Sequence, residues 1–222
     1  MPRTGRIAPG GFVFHVLNRG VGKTRLFRSQ KDYQAFQRCL IQTLDNTPMR
    51  ILDYCVMPNH WHLLLWPEKD GELAEFMMRL TNMHVRRWLT AHNQVGSGHL
   101  YQGRYKSFAT QDDDHLTTVA RYIERNALRA GLVIRAEDWP WSGVGQNALP
   151  GDLQIPLTDW PVRRRSDWLQ WLNAPQTAAE EEAIRRCCRE SRPYGTASRI
   201  ERSKKVLGWQ EPGKAGRPRK KQ

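Results

Sequence analysis

The chain reads as an α+β protein. It is expected to form a ferredoxin-like or RRM-like antiparallel sheet in the order βαββαβ, with helices on one face, one further helix, and a basic, mostly helical C-terminal extension. Three observations predict this. Four short segments, residues 12–19, 50–57, 60–66 and 104–110, have strand length and are rich in apolar and β-branched residues. Two longer segments repeat apolar residues at helical spacing: Tyr33, Phe36, Leu40 and Leu44 within 31–46, and Phe76, Met77, Leu80, Val85 and Trp88 within 73–92. Their alternation along the chain is the pattern of an α+β layer. That architecture also carries RNA binders, so it does not by itself specify a function.

The middle strands carry the first chemical signal. Segments 50–57 and 60–66 are separated by Pro58-Asn59, which is turn chemistry, and so form a hairpin. Side chains alternate across a strand, so His60 and His62 emerge together while Trp61 and Leu63 face the other way. Two imidazoles in register read either as ordinary sheet residues or as half of a site for one metal ion. A third ligand and a chemical partner decide between these readings.

Both lie in reach of the segment 111–133. Asp112, Asp113 and Asp114 precede apolar residues at Leu116, Val119, Ala120, Ile123 and Ala127, which is helical spacing with acidic residues at the positive end of the dipole. Gly131 stops the helix. Tyr122 and Asn126, four residues apart, share one face, and Arg121, Arg125 and Arg129 form a second column beside them. Alone, this pattern fits core-edge packing with a solvated basic face equally well.

Five motifs in one order resemble those of the REP-associated tyrosine transposases, IS200-like members of the HUH single-tyrosine superfamily. They are His15-Val16-Leu17-Asn18-Arg19-Gly20, then Met57-Pro58-Asn59-His60-Trp61-His62-Leu63, then Tyr101-Gln102-Gly103-Arg104-Tyr105-Lys106-Ser107. Tyr122-Ile123-Glu124-Arg125-Asn126 with Arg129-Ala130-Gly131-Leu132-Val133 follows, and Trp139-Pro140-Trp141-Ser142 closes the series. The resemblance covers roughly residues 10–145. It implies that His60 and His62 are metal ligands, that Tyr122 is the nucleophile and that Asn126 completes the metal site. Ala127 stands where nearer relatives carry proline, a departure that touches helix geometry. The cations in and beside these motifs, Arg19, Arg104, Lys106, Arg121, Arg125 and Arg129, are the expected DNA contacts. His15, whose strand should be adjacent, has two readings: a place near the site, or an ordinary sheet position, which is the one favoured.

The implied chemistry is cleavage and rejoining of single-stranded DNA through a 5′-phosphotyrosine. Two neutral imidazoles and an amide leave a cation's charge largely uncompensated, which suits Mg²⁺ or Mn²⁺ acting on a phosphodiester. No complete Walker motif, Gly-x-x-x-x-Gly-Lys followed by Ser or Thr, occurs, in keeping with ATP-independent strand transfer. With one tyrosine, cutting and joining proceed in successive steps or between subunits, and monomer and homodimer both remain open. The implied partner is a single-stranded DNA hairpin of the repetitive extragenic palindrome type. Two other functions use part of the same pattern: a non-catalytic RNA binder on an RRM-like sheet, and a hydrolytic metal-dependent nuclease that ignores Tyr122.

Charge points to the same substrate class. The 222 residues hold 35 Lys and Arg against 22 Asp and Glu, a net charge of +13, which favours a polyanion over an acidic small molecule. Residues 163–222 hold 16 basic and 7 acidic residues of these totals, so the surplus concentrates late in the chain. A catalytic domain over 1–148 and a basic DNA-binding extension over 149–222 are therefore expected, joined in the Pro- and Gly-containing stretch 149–161. The extension contains two short helices, 177–190 and 196–207, and ends in an AT-hook-like Gly216-Arg217-Pro218 followed by Arg219, an alternative to a purely electrostatic tail. Trp168 and Trp171, beside Arg163 to Arg165, are the tryptophans best placed by sequence to stack on unpaired bases. The four cysteines lack zinc spacing, and no signal peptide or membrane span is seen, so a cytoplasmic, nucleoid-associated bacterial setting is expected.

Overall fold

The computed structural model describes residues 8–209. Strand β1 (Val13–Arg19), helix α1 (Gln30–Asn46), the hairpin strands β2 (Arg50–Met57) and β3 (His60–Trp66), helix α2 (Glu72–Ala91), strand β4 (Lys106–Thr110) and helix α3 (Asp114–Glu124) follow in that order. All neighbours in the sheet are antiparallel and the order is β2-β3-β1-β4, so the histidine strand β3 lies in the interior beside β1. The expected βαββαβ order is present. Helix α1 starts where a capping box of Ser29 and Asp32 satisfies its first amides.

Helices cover both faces of the sheet, a correction to the one-faced layer expected. On the first face Phe14, Val16, Tyr54, Val56, Trp61 and Leu63 pack against α1 and α2. On the second, Val13, Leu52, Cys55, Met57, Leu64 and Phe108 pack against α3 and against two later helices, α5 (Trp168–Asn173) and α6 (Ala178–Glu190). The reason is visible in the strands: β2 and β3 are apolar on alternate and intervening positions alike, the pattern of strands buried on both sides. A bulge at Leu52, between the pairs Ile51–Leu65 and Asp53–Leu64, turns both Leu52 and Asp53 to the second face.

The residues after 138 seal the sheet edges. Along β2, Val56 donates to Trp141 O at 2.8 Å, Gly143 donates to Tyr54 O at 2.9 Å and Thr158 donates to Ile51 O at 2.8 Å. Along β4, Tyr194 donates to Ala109 O and Gln111 donates to Tyr194 O, both at 2.9 Å. Edges left open invite pairing with other chains, and here both are occupied. Trp168, a candidate for base stacking, is 7% exposed and its indole N–H donates to Glu124 Oε2 at 2.8 Å, while Trp171 lies under the Arg121 guanidinium. These rings pack the extension against α3. Among the described residues no helix is long and apolar enough to cross a membrane.

Candidate functional site

A groove of about 640 Å³ opens on the second face of the sheet. The hairpin supplies one wall. His60 and His62 project together with ring centroids 4.9 Å apart, while Trp61 turns the other way, fully buried, its N–H donating to Tyr101 Oη at 2.9 Å. That hidden partner is why so large a ring fits between two functional neighbours.

Helix α3 supplies the facing wall. It begins at Asp113, whose carboxylate accepts from His115 N. It ends at Glu124, and a separate turn, α4 (Asn126–Arg129), follows a break at Arg125. Gly131, at φ +68°, ends that turn with Leu132 N donating to Ala127 O and Gly131 N donating to Leu128 O, both at 3.0 Å. Tyr122 is thereby held with its ring centroid 6.0 Å from that of His62. Arg129 lies over the phenol, its guanidinium carbon 4.3 Å from the ring centroid. Burial raises the Tyr122 phenol above its ordinary pKa and nearby Arg129 opposes that rise, so the group is a protonated phenol at neutral pH.

The two histidines have the protonation state a cation needs. Burial, and then the charges of Arg19 and Arg129, bring His60 down to about 4. Burial, then His60 and His15, push His62 well below the usual imidazole range. His60 Nδ1 lies 2.6 Å from Asn59 Oδ1, which fixes the proton on Nδ1 and leaves Nε2 as a lone pair. His62 Nε2 is buried without a partner. Two neutral imidazoles with free nitrogens thus fit a divalent cation. Among the described residues no group of three or more His, Cys, Asp or Glu side chains converges to form a closed metal cage. Asn126 lines the groove, but its Oδ1 accepts from Arg129 at 2.7 Å and its amide nitrogen donates to Tyr122 O and Ile123 O.

The expected cations divide into two groups. Arg19, Arg104, Lys106 and Arg129 line the groove. The loop before β4 is fixed by Gln102 N donating to Arg19 O at 2.9 Å and Asn18 Nδ2 donating to Gly103 O at 3.3 Å, so Arg104 precedes the strand expected to begin there. Arg121 and Arg125 do not form a solvated column with Arg129. They are 4% and 7% exposed, and they cap α5: Arg121 donates to Ala174 O at 2.7 Å and Arg125 to the carbonyls of Leu172 and Ala174. Their terminal nitrogens are committed to these backbone carbonyls, and neither residue lines the groove. Arg217 and Arg219 lie outside the described residues.

Two features of the site are not placed there by sequence reasoning, which favours an ordinary sheet position for His15. His15 is fully buried, its ring stacked on that of His62 and its Nε2 2.8 Å from His62 Nδ1. The register pairs Leu17 with His62 and places His15 two residues along the same face, information that a single strand's pattern does not hold. The second feature is α6, which sets Arg185, Cys188 and Arg189 against the groove from the extension. Six of the groove's lining residues are Arg or Lys and none is Asp or Glu, so the site suits an anion that extends past its centre.

Comparison with known proteins gives this geometry a context. A family model described as "Transposase IS200 like" matches residues 11–126, which run from just before β1 to Asn126. A candidate REP-associated tyrosine transposase of Haemophilus influenzae is 27% identical over 133 residues, 56% of this chain and 74% of that protein. The REP-associated tyrosine transposase of Escherichia coli K12 is 25% identical over 160 residues, 70% of this chain and 92% of its own length. A solved REP-associated tyrosine transposase bound to a REP hairpin shares the fold, with a TM-score of 0.52 and 23% identity over 74% of this chain and 98% of that one.

Proposed function

We propose that this chain, which belongs to the IS200-like transposase family, cleaves and rejoins single-stranded DNA beside hairpins, with Tyr122 as the nucleophile. The relatives' association with REP elements, and the REP hairpin in the solved neighbour, support a palindromic hairpin as the substrate here. The observation that carries the reading is the Tyr122 ring set across from the His60–His62 pair in a groove lined by cations and no carboxylate.

The chemistry follows from these side chains. His60 and His62 would hold Mg²⁺ or Mn²⁺, which supplies charge withdrawal from the phosphate and leaves open positions for its oxygens. Tyr122 Oη attacks phosphorus, the bond to the 3′-oxygen breaks, and a 5′-phosphotyrosine forms. The phenolic proton is delivered through solvent to the departing oxygen, which becomes a free 3′-hydroxyl. Arg129, stacked on the ring, favours the phenolate as it develops and remains close to the phosphate that replaces it. Because the linkage keeps the energy of the phosphodiester, a 3′-hydroxyl can later attack it and restore a DNA strand without ATP.

The test is a hairpin oligonucleotide with a single-stranded flank, labelled on the fragment 3′ of the cut and incubated with Mg²⁺ or Mn²⁺. The labelled fragment is expected to migrate with the protein after denaturation, and Tyr122→Phe to abolish that band while hairpin affinity is kept. Cleavage by Tyr122→Phe at the wild-type rate would make the protein a hydrolytic nuclease. Binding without cleavage by the wild type, in either metal, would make it a binding protein.

A further inference from the structure

We propose that α6 is a wall of the strand-binding groove, and that Arg185 and Arg189 on it hold the phosphodiester backbone of the single strand passing Tyr122. The inference rests on the groove's reading as a DNA cleavage site. It adds a binding element from outside residues 11–126, the part of the chain that the family match covers.

The two arginines are four residues apart, so they leave the same face of α6 about 6 Å apart along its axis, a separation comparable to that of successive phosphates in an extended strand. Both are exposed and both line the groove, with Cys188 between them at its floor. The helix itself is fixed. Ile184 and Cys187 are buried in the second-face core, Cys188 Sγ lies 3.7 Å from His15 Nδ1, and Thr177 with Glu180 forms a capping box at its start. A rigid helix presents its charges at defined points, whereas a tail would only raise their local concentration.

Their present partners are exchangeable. Arg185 pairs with the partly buried Glu181 and Arg189 with the exposed Glu182, each at 2.6 Å and each within α6 itself. An exposed pair such as Arg189–Glu182 contributes little, while a guanidinium on a phosphate makes charge-assisted and often bidentate bonds. Glu181 also lies 3.8 Å from Arg129 beside Tyr122, so one carboxylate sits between two cations that a phosphate would bridge. The same helix provides a control. Arg186 carries the same charge and pairs with Glu190, but does not line the groove.

The experiment measures binding of the full chain to a fluorescent hairpin carrying a single-stranded flank, across a salt series, by anisotropy. Arg185→Ala and Arg189→Ala are each expected to weaken binding about ten-fold, and the double variant to flatten the slope of log K against log salt by about 1.4, near 0.7 per phosphate contact on a single strand. Arg186→Ala should stay within about two-fold of wild type, and the lysine variants at 185 and 189 should keep most of the affinity. Equal losses at all three positions would reduce α6 to diffuse electrostatics, and no loss at 185 and 189 would remove it from the groove. The covalent band of the wild type is read in parallel. Loss of flank affinity without any covalent band would overturn the cleavage reading and keep the wall; a band with unaltered affinity in the variants would overturn the wall alone.

Discussion

At the level of single residues, the tautomer of His62 is tied to that of a neighbour two strand positions away from its own pair. The 2.8 Å contact between His15 Nε2 and His62 Nδ1 has room for one proton, and burial together with His60 brings His15 to about 3, so neither ring supplies a second. Were that proton on His62 Nδ1, its Nε2 lone pair would be the free nitrogen at the groove. His15 would then be a positioning residue for the cation proposed at His62. His15→Ala is expected to lower Mn²⁺ affinity, read by electron paramagnetic resonance, by about 10- to 100-fold while metal-free hairpin binding is unchanged. His15→Gln, whose side-chain carbonyl can accept the same proton, should recover part of the loss. Equal losses in both variants, matched by equal drops in melting temperature, would leave His15 as packing only. The histidine pair was legible because period-two alternation is a local property of a strand; His15 was not, because its partner is 47 residues away and only register brings them together.

Among elements, the hairpin and the helix that faces it were the most legible, and their exceptions share one cause. Strands 50–57 and 60–66 form with the bounds their composition indicates, and Gly131 ends the second segment because only a residue tolerant of φ +68° closes that cap cheaply. The helix across 111–133 is broken at Arg125, and the basic column is divided, because the extension returns to α3 with the carbonyls of α5 in need of donors. Local spacing says nothing about which distant segment will arrive. Arg125 therefore belongs to stability. Arg125→Met, which keeps the length and removes the donors, is expected to cost about 1–3 kcal/mol in urea unfolding and to leave the salt slope of DNA binding unaltered. A flatter slope with unaltered stability would return Arg125 to the DNA interface. Gly143 is fixed by the same folding back, since a Cβ there would lie 2.2 Å from Asp53 Oδ1.

Over the whole molecule, the extension is joined to α3 through a buried acidic pair. Asp53, turned inward by the β2 bulge, and Glu124, at the end of α3, are both fully buried, and Trp168 and Arg164 of the extension reach Glu124 at 2.8 and 3.7 Å. Burial raises both carboxyls above their ordinary range, and for Asp53 the charge of Glu124 adds to the rise, so Asp53 is the one that keeps its proton. The sign of the linkage follows. A carboxyl whose folded pKa is raised contributes stability that is fully present below its unfolded value, near 4, and is lost as pH rises through the folded value. Asp53→Asn supplies a permanently neutral group that can still accept from Tyr54 N, the bond seen at 2.7 Å. Urea unfolding of the wild type is therefore expected to weaken from pH 5 to pH 8 more steeply than that of Asp53→Asn, with the variant ahead by about 1–3 kcal/mol at the alkaline end. Because the pair sits behind Tyr122 and under Trp168, the same pH rise should expose the 149–161 stretch to proteolysis in the wild type and not in the variant. Parallel stability curves for the two proteins across that range would mean that the proton does not reside on Asp53, and that the extension is held by packing and by Trp168 alone.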